Sequence, residues 1–99
     1  MSQICVKFEN ASKLLSKRWV GLIVHQLLEG PKRFNQLESE LQVSGKVLSE
    51  KLKSLEILGL IQRNVYPTTP VRVEYSLTEK GEGLEPVIKA IENWSQTWI

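Results

Sequence analysis

Residues 35–77 read NQLESELQVSGKVLSEKLKSLEILGLIQRNVYPTTPVRVEYSL, and the spacing of the apolar residues changes once along this segment. Before Gly59 they recur every three or four positions, which predicts two helices joined by a brief turn. After Gly59 they alternate with polar residues, and a loop bounded by prolines interrupts the alternation, which predicts an antiparallel hairpin. Two helices at about 35–58 followed by a hairpin at about 61–77 are the parts of a winged helix-turn-helix.

The ends of the two helices carry capping residues. Asn35 followed by Glu38 has the spacing of a capping box, which predicts a short helix at about 36–41. Ser44 is a favourable N-cap for the longer helix, and Gly59 is the residue type preferred just after a helix ends.

Helices are also predicted on both sides of this segment. They cover about 6–15, about 17–28, where most sides are apolar, and about 84–98. A chain of 99 residues has the common size of one domain. We therefore expect a single winged-helix domain over residues 1–99, mainly α with a small β-hairpin (α+β).

The charge is unevenly distributed along the chain. Residues 1–72 hold eleven Lys or Arg against six Glu, and residues 73–99 hold two against five, so a net +5 precedes a net −3. Such an asymmetry is expected where one surface meets a polyanion and another does not. It points to nucleic acid as a partner, which the total of +2 does not do by itself.

The helix that follows Ser44 has leucines on one side and a polar stripe on the other, formed by Lys46, Ser49, Glu50 and Lys53. The major groove of DNA admits a helix, so this stripe is a candidate for contacts with phosphates and base edges. The alternative is a solvated helix face on which Glu50 pairs with the two lysines.

The predicted hairpin offers a second contact. Arg63 and Arg72 stand on opposite strands, and Thr68 and Thr69 lie in the loop between the prolines, an arrangement that suits a wing along or in a minor groove. An ordinary surface hairpin is the alternative reading. Four further cations are expected either to flank the phosphate backbone or only to aid solubility: Lys17, Arg18, Lys32 and Arg33.

The final helix carries an apolar stripe too long for a small domain to cover. Its members are Leu84, Ile88, Ile91, Trp94 and Trp98. We expect this stripe to pack against Phe8 and Leu15 of the first helix across a twofold homodimer, so that two recognition helices read a pseudo-palindromic duplex. An intramolecular core helix is the alternative.

Other classes of function find little support in the residues. His25 stands alone among apolar neighbours, and Gly81-Glu82-Gly83 lacks the remainder of a phosphate-binding loop, so no catalytic residue, cofactor or metal is expected. Cys5 is the only cysteine, which leaves it buried, bonded to another molecule or reactive. With no signal-peptide pattern and no apolar run long enough for a bilayer, we expect a cytoplasmic protein.

The hairpin and the residues after it contain a specific motif, Pro70-x-Arg72-Val73-Glu74-Tyr75-x-Leu77-Thr78-x-x-Gly81. Further matching residues are Arg18-Trp19, Gly30, Arg33-Phe34, Leu37, Leu48-Ser49, Leu52, Leu55-Glu56, Gly59-Leu60, Arg63 and Trp94. Together they resemble the HxlR family of winged-helix transcription regulators, over roughly residues 5–98.

Within that family the likeness is greatest to repressors that sense quinones and other electrophiles, which carry a cysteine where Cys5 stands. The resemblance implies a homodimeric repressor that leaves its operator when this cysteine is alkylated or oxidised. Two departures are Val6, where many relatives have proline, and the lack of a second cysteine near residue 99. The disulfide between N- and C-terminal cysteines is thereby excluded, which leaves alkylation, a mixed disulfide or a Cys5–Cys5 bridge.

Two other functions remain open at this point. One is a regulator that senses a non-covalent aromatic ligand in an apolar pocket near Trp19, Trp94 and Trp98. The other is a winged-helix module that binds proteins and not DNA, because a fold does not fix a function.

Overall fold

The computed structural model describes residues 5–99, which form helices and one two-stranded antiparallel sheet. The elements are α1 (Val6–Leu15), α2 (Arg18–Leu27), α3 (Phe34–Leu41), α4 (Gly45–Ile57), β1 (Ile61–Tyr66), β2 (Arg72–Leu77), α5 (Glu79–Glu82) and α6 (Glu85–Trp98). The predicted fold class, mainly α with a small hairpin, is confirmed.

The core forms around α2, which contacts α1, α3, α6 and β2. One face of α2 is fully buried and consists of Val20, Ile23, Val24 and Leu27. Residues from α3, α4 and the start of the hairpin cover this face: Leu37, Leu48, Leu52, Leu55, Leu60 and Ile61. The opposite face of α2 stays open, since Leu22 and His25 are exposed. The helix is therefore central but less enclosed than its sequence predicts.

Helix α3 begins earlier than predicted. Its N-cap is Arg33, whose backbone N–H donates to Oε1 of Gln36 at 2.9 Å, and Asn35 lies inside the first turn. The reason is a contact distant in sequence: Lys32 and Tyr75 exchange both of their backbone hydrogen bonds, at 2.9 and 2.7 Å. The chain is held extended up to residue 32 and turns into the helix directly afterwards.

Helix α4 has the predicted ends. The N–H of Val47 donates to the Ser44 hydroxyl at 3.3 Å. After the helix, Gly59 takes a φ of 76°, and the N–H groups of Gly59 and Leu60 donate back to the carbonyls of Glu56 and Leu55. This Schellman motif turns the chain sharply, so that β1 starts against the core immediately after α4.

The hairpin pairs β1 with β2 from Ile61 opposite Leu77 to Tyr66 opposite Arg72, and residues 67–71 form its tip. At its base, Gly81 of α5 lies against the backbone of Leu60, where an added Cβ would stand 2.1 Å from the Leu60 carbonyl oxygen. The base of the wing is thereby fixed to the end of α4.

The first and last helices extend away from this core. None of the described residues of α1 is buried, and α6 buries only Ile88. The radius of gyration is 15.2 Å, whereas about 13 Å is typical of a compact domain of 100 residues. Within residues 5–99, no helix is long and apolar enough to cross a membrane.

Candidate DNA interface and thiol site

The polar stripe of α4 lies on one exposed face. Lys46, Ser49, Glu50 and Lys53 are all exposed, while the leucines on the opposite face are buried in the core. In the described chain, no ion pair within 4.0 Å joins Glu50 to either lysine. The four side chains therefore share one exposed face of α4, and Glu50 is not paired with either lysine.

Lys32 does not belong to this surface, and its prediction as a DNA contact is wrong. Its side chain is only 9% exposed, and its ammonium donates to Glu29 at 2.5 Å, to Glu40 at 2.6 Å and to Gln26 at 3.1 Å. These partners come from the end of α2 and from α3, so the lysine ties the helix-turn-helix to the helix behind it. Sequence reasoning failed here because lysine is normally solvated, and only the fold reveals its three acceptors.

The ion-pair cluster alters the pKa values of two of its members. Burial by itself would lower the pKa of Lys32, but hydrogen bonds to Glu29 and Glu40 outweigh it, and the pKa is raised. The pKa of Glu29 is lowered, mainly because Lys32 donates a hydrogen bond to its carboxylate and secondly because of the lysine's charge. The charged forms of both groups are therefore favoured by folding.

The other predicted backbone cations are exposed. Lys17 and Arg18 stand at the start of α2, where the Arg18 guanidinium lies 5.1 Å from the centroid of the Trp19 ring. Arg33 is exposed at the N-cap of α3. All three remain candidates for phosphate contacts.

On the wing, Arg63 is exposed and Arg72 is partly exposed. The Thr68 hydroxyl donates to the carbonyl of Pro70 at 2.8 Å, so its proton is engaged within the loop, and donation to a phosphate would require breaking that bond. Thr69 is exposed. Sequence reasoning missed Tyr66, which lies opposite Arg72, although the symmetry of the strands about the loop is a signal that identifies such a pair.

The apolar stripe of α6 is divided between two environments. Ile88 is buried in the core, which corrects its prediction as a dimer contact, whereas Leu84 is only partly buried against the core and stays a predicted contact. The cause is that the first turns of α6 pack on α2, where His25 Nε2 and Glu92 Oε2 also lie 2.7 Å apart.

Past these turns the large side chains of α6 are open. Ile91 is 52% exposed, Trp94 58% and Trp98 72%. On α1, Phe8 is 72% exposed and Leu15 is partly buried. Trp19 lines a groove with Lys17 and Lys51, and Trp94 lines another on α6, so within one chain the alternative of a single pocket near the tryptophans finds no support.

Cys5 is exposed at the N-cap of α1, and its carbonyl accepts the first hydrogen bond of that helix, from Glu9 at 2.9 Å. Within residues 5–99, no three His, Cys, Asp or Glu side chains are grouped so as to hold a metal ion. The candidate reactive group is therefore a single thiol at the end of a helix that has no fully buried residue.

Comparison with known proteins identifies the class of this chain. The family model for the HxlR-like helix-turn-helix matches residues 14–99. The HTH-type transcriptional regulator YvaP of Bacillus subtilis is 54% identical over 99 residues, which cover 99% of this chain and 92% of YvaP. The B. subtilis regulator YodB is 46% identical over 93 residues, which cover 93% of this chain and 83% of YodB.

Solved structures of YodB agree with this assignment. Reduced YodB superposes with a TM-score of 0.85 at 44% identity, over 97% of this chain and 95% of that one. Quinone-bound YodB superposes with a TM-score of 0.79 at 41% identity, over 96% of this chain and 100% of that one. These relatives are regulators and not enzymes, and the resemblance noted from the motifs is confirmed. The chain belongs to the HxlR-like helix-turn-helix family of transcriptional regulators.

Proposed function

We propose that this regulator is a homodimeric repressor that binds a pseudo-palindromic duplex and leaves it when an electrophile modifies Cys5. The main support for DNA binding is the exposed polar stripe of α4, which lies opposite a face of buried leucines. Lys46 and Lys53 would contact phosphates or guanine edges, and Ser49 and Glu50 would contact neighbouring base edges. The exposed cations at residues 17, 18, 33 and 63 would add phosphate contacts around this face.

The apolar residues of α1 and α6 support the dimer. Phe8 and Trp98 are each 72% exposed, and α1 lacks any buried residue. A soluble protein rarely leaves so many large apolar side chains open on adjoining elements unless a partner covers them. A second copy bound through a twofold axis would place two α4 helices roughly 34 Å apart, one turn of B-form DNA.

Two findings support Cys5 as the sensor. The thiol is exposed on a helix that belongs to the proposed interface, and YodB, which resembles this chain throughout, has been solved in a quinone-bound form. In the proposed reaction the Cys5 sulfur bonds to a ring carbon of the quinone. The thiol proton and the displaced ring proton end on the two quinone oxygens, which leaves a hydroquinone adduct and requires no further oxidant.

The adduct would act through the geometry of the dimer. A bulky ring attached at the start of α1 would lie between this helix and α6 of the other subunit and rotate the subunits. Each α6 is joined to its own α2 by His25 and Glu92, and α2 packs on the recognition unit. A rotation at the interface would therefore change the separation of the two α4 helices, and both could no longer enter successive grooves.

The experiment is a quinone titration of the protein–DNA complex. The probe is a duplex selected from a random pool by wild-type protein, and benzoquinone is added to complexes of wild type and Cys5→Ser. We expect release of wild type with one adduct per chain by intact mass, and retention of Cys5→Ser. Phenol, which does not add to thiols, should release neither. Equal release of both proteins by benzoquinone would refute the sensor, and failure of wild type to retain any duplex at low salt would refute the DNA part.

A further inference from the structure

The wing carries a stacked pair at the point where its strands separate. Tyr66 and Arg72 are opposite one another in the last register position before the tip, and the Arg72 guanidinium carbon lies 4.4 Å from the centroid of the Tyr66 ring. Stacking on an aromatic face is a favourable arrangement for guanidinium, because the face of the ring is electron-rich.

The Nε side of the same guanidinium is enclosed. The Nε atom is buried and, among the described residues, has no hydrogen-bond partner; the nearest carboxylate oxygen, on Glu74, is 3.8 Å away. The side chain as a whole remains 41% exposed. Among the described residues, the two Nη atoms also make no hydrogen bond but, unlike Nε, are not buried, so the edge that carries four of the five N–H donors of arginine is open to solvent.

We propose that Tyr66 is a positioning residue that holds Arg72 in the conformation in which its Nη edge contacts duplex DNA. This inference rests on the proposed function. A free arginine loses much rotamer freedom when it binds, whereas a side chain already stacked on the ring has lost part of it before the DNA arrives. Tyr66 itself need not contact the DNA, so its effect on affinity should exist only while Arg72 is present.

The test is a double-mutant cycle on the selected duplex, with Tyr66→Leu, Arg72→Ala and the double variant. Arg72→Ala should weaken binding about tenfold and lower the salt slope by about one. Tyr66→Leu should weaken binding about threefold to tenfold in the wild-type background and add nothing in the Arg72→Ala background. Tyr66→Phe keeps the ring and should bind like wild type.

Arg63 provides the matched control, because it is an exposed arginine on β1. The effect of Tyr66→Leu should be the same with Arg63→Ala as without it. A Tyr66→Leu effect that persists without Arg72, or a Tyr66→Phe variant as weak as Tyr66→Leu, would overturn the inference, as would Arg72→Ala binding like wild type while Lys46→Ala binds weakly. Those results leave the proposed function intact, whereas loss of that function requires wild type itself not to bind. Thermal unfolding of each variant confirms that it is folded.

Discussion

At the scale of single residues, Gly81 shows how closely the wing is fixed to the rest of the protein. A methyl group at this position would stand 2.1 Å from the carbonyl oxygen of Leu60, and the atom it meets is backbone, which cannot rotate away. The base of the hairpin and the end of α4 are thus held in one arrangement. The contact between the two backbones therefore fixes the position of the wing relative to α4.

We therefore predict that Gly81→Ala lowers the free energy of unfolding by about 1–3 kcal/mol, the usual cost of overpacking. Gly21 is the control, since a Cβ there meets nothing within 4 Å. In the interior of α2, Gly21→Ala should raise stability by about 0.5–1 kcal/mol. Urea denaturation measures both, and a Gly81→Ala variant as stable as Gly21→Ala would contradict the packing described here.

Lys32 gives a second prediction, in the pH dependence of stability. The lowered pKa of Glu29 means that its pairing stabilises the fold above the ordinary glutamate pKa of about 4.3 and that this contribution is lost as pH falls through the lower folded value. The raised pKa of Lys32 means that its own contribution persists from neutral pH up to the ordinary lysine value and is lost only above it.

Wild type should accordingly lose more stability than Lys32→Met between pH 7 and pH 3, measured by urea denaturation at each pH. Lys13→Met is the control, because it removes an exposed pair with Glu9 on α1, and exposed pairs contribute little. Its acid profile should follow that of wild type. Parallel acid profiles for wild type and Lys32→Met would show that the pairing of Lys32 with Glu29 and Glu40 does not stabilise the fold as described.

The surroundings of Lys32 could not be predicted from the sequence. A lysine is assigned to the surface by its type, and nothing within residues 26–40 reveals that Gln26, Glu29 and Glu40 meet around Lys32. The same limit applies to Ile88, because a continuous apolar stripe does not show where it leaves the core. Both errors concern which neighbours the fold supplies, and periodicity carries no information on that.

At the scale of elements, local signals determined most of the structure. The change of apolar period at Gly59 located the hairpin, and the capping residues located both ends of α4. The start of α3 was misplaced because the backbone pairing of Lys32 with Tyr75 joins positions far apart in sequence. The exposed stripe of α4 was predictable for a related reason: a helix with leucines on one face must present its polar face elsewhere.

For α4 we predict that Lys46→Ala and Lys53→Ala each weaken binding to the selected duplex and each lower the slope of log affinity against log salt by about one. Lys51→Ala is the matched control. It removes the same charge from the same helix, but the Lys51 side chain lines the groove beside Trp19. Lys51→Ala should leave the slope unchanged. Equal slope changes for all three lysines would indicate a diffuse attraction and not a recognition face.

At the scale of the whole molecule, the chain is elongated. Its principal extents are 60, 28 and 23 Å, because much of α1 and α6 extends beyond a core that is formed mainly by α2, α3, α4 and the hairpin. The sequence indicated an excess of apolar surface on these helices. It did not indicate that the exposed apolar residues of α6 begin after Ile88.

In the proposed function two chains act together on one duplex, and Cys5 controls their arrangement. Native mass spectrometry of the protein with the selected duplex, before and after benzoquinone, tests this most directly. We predict two chains per duplex at first, then free duplex and protein carrying one quinone per chain, while Cys5→Ser stays bound as two chains. One chain per duplex, or release of Cys5→Ser to the same extent, would contradict the account.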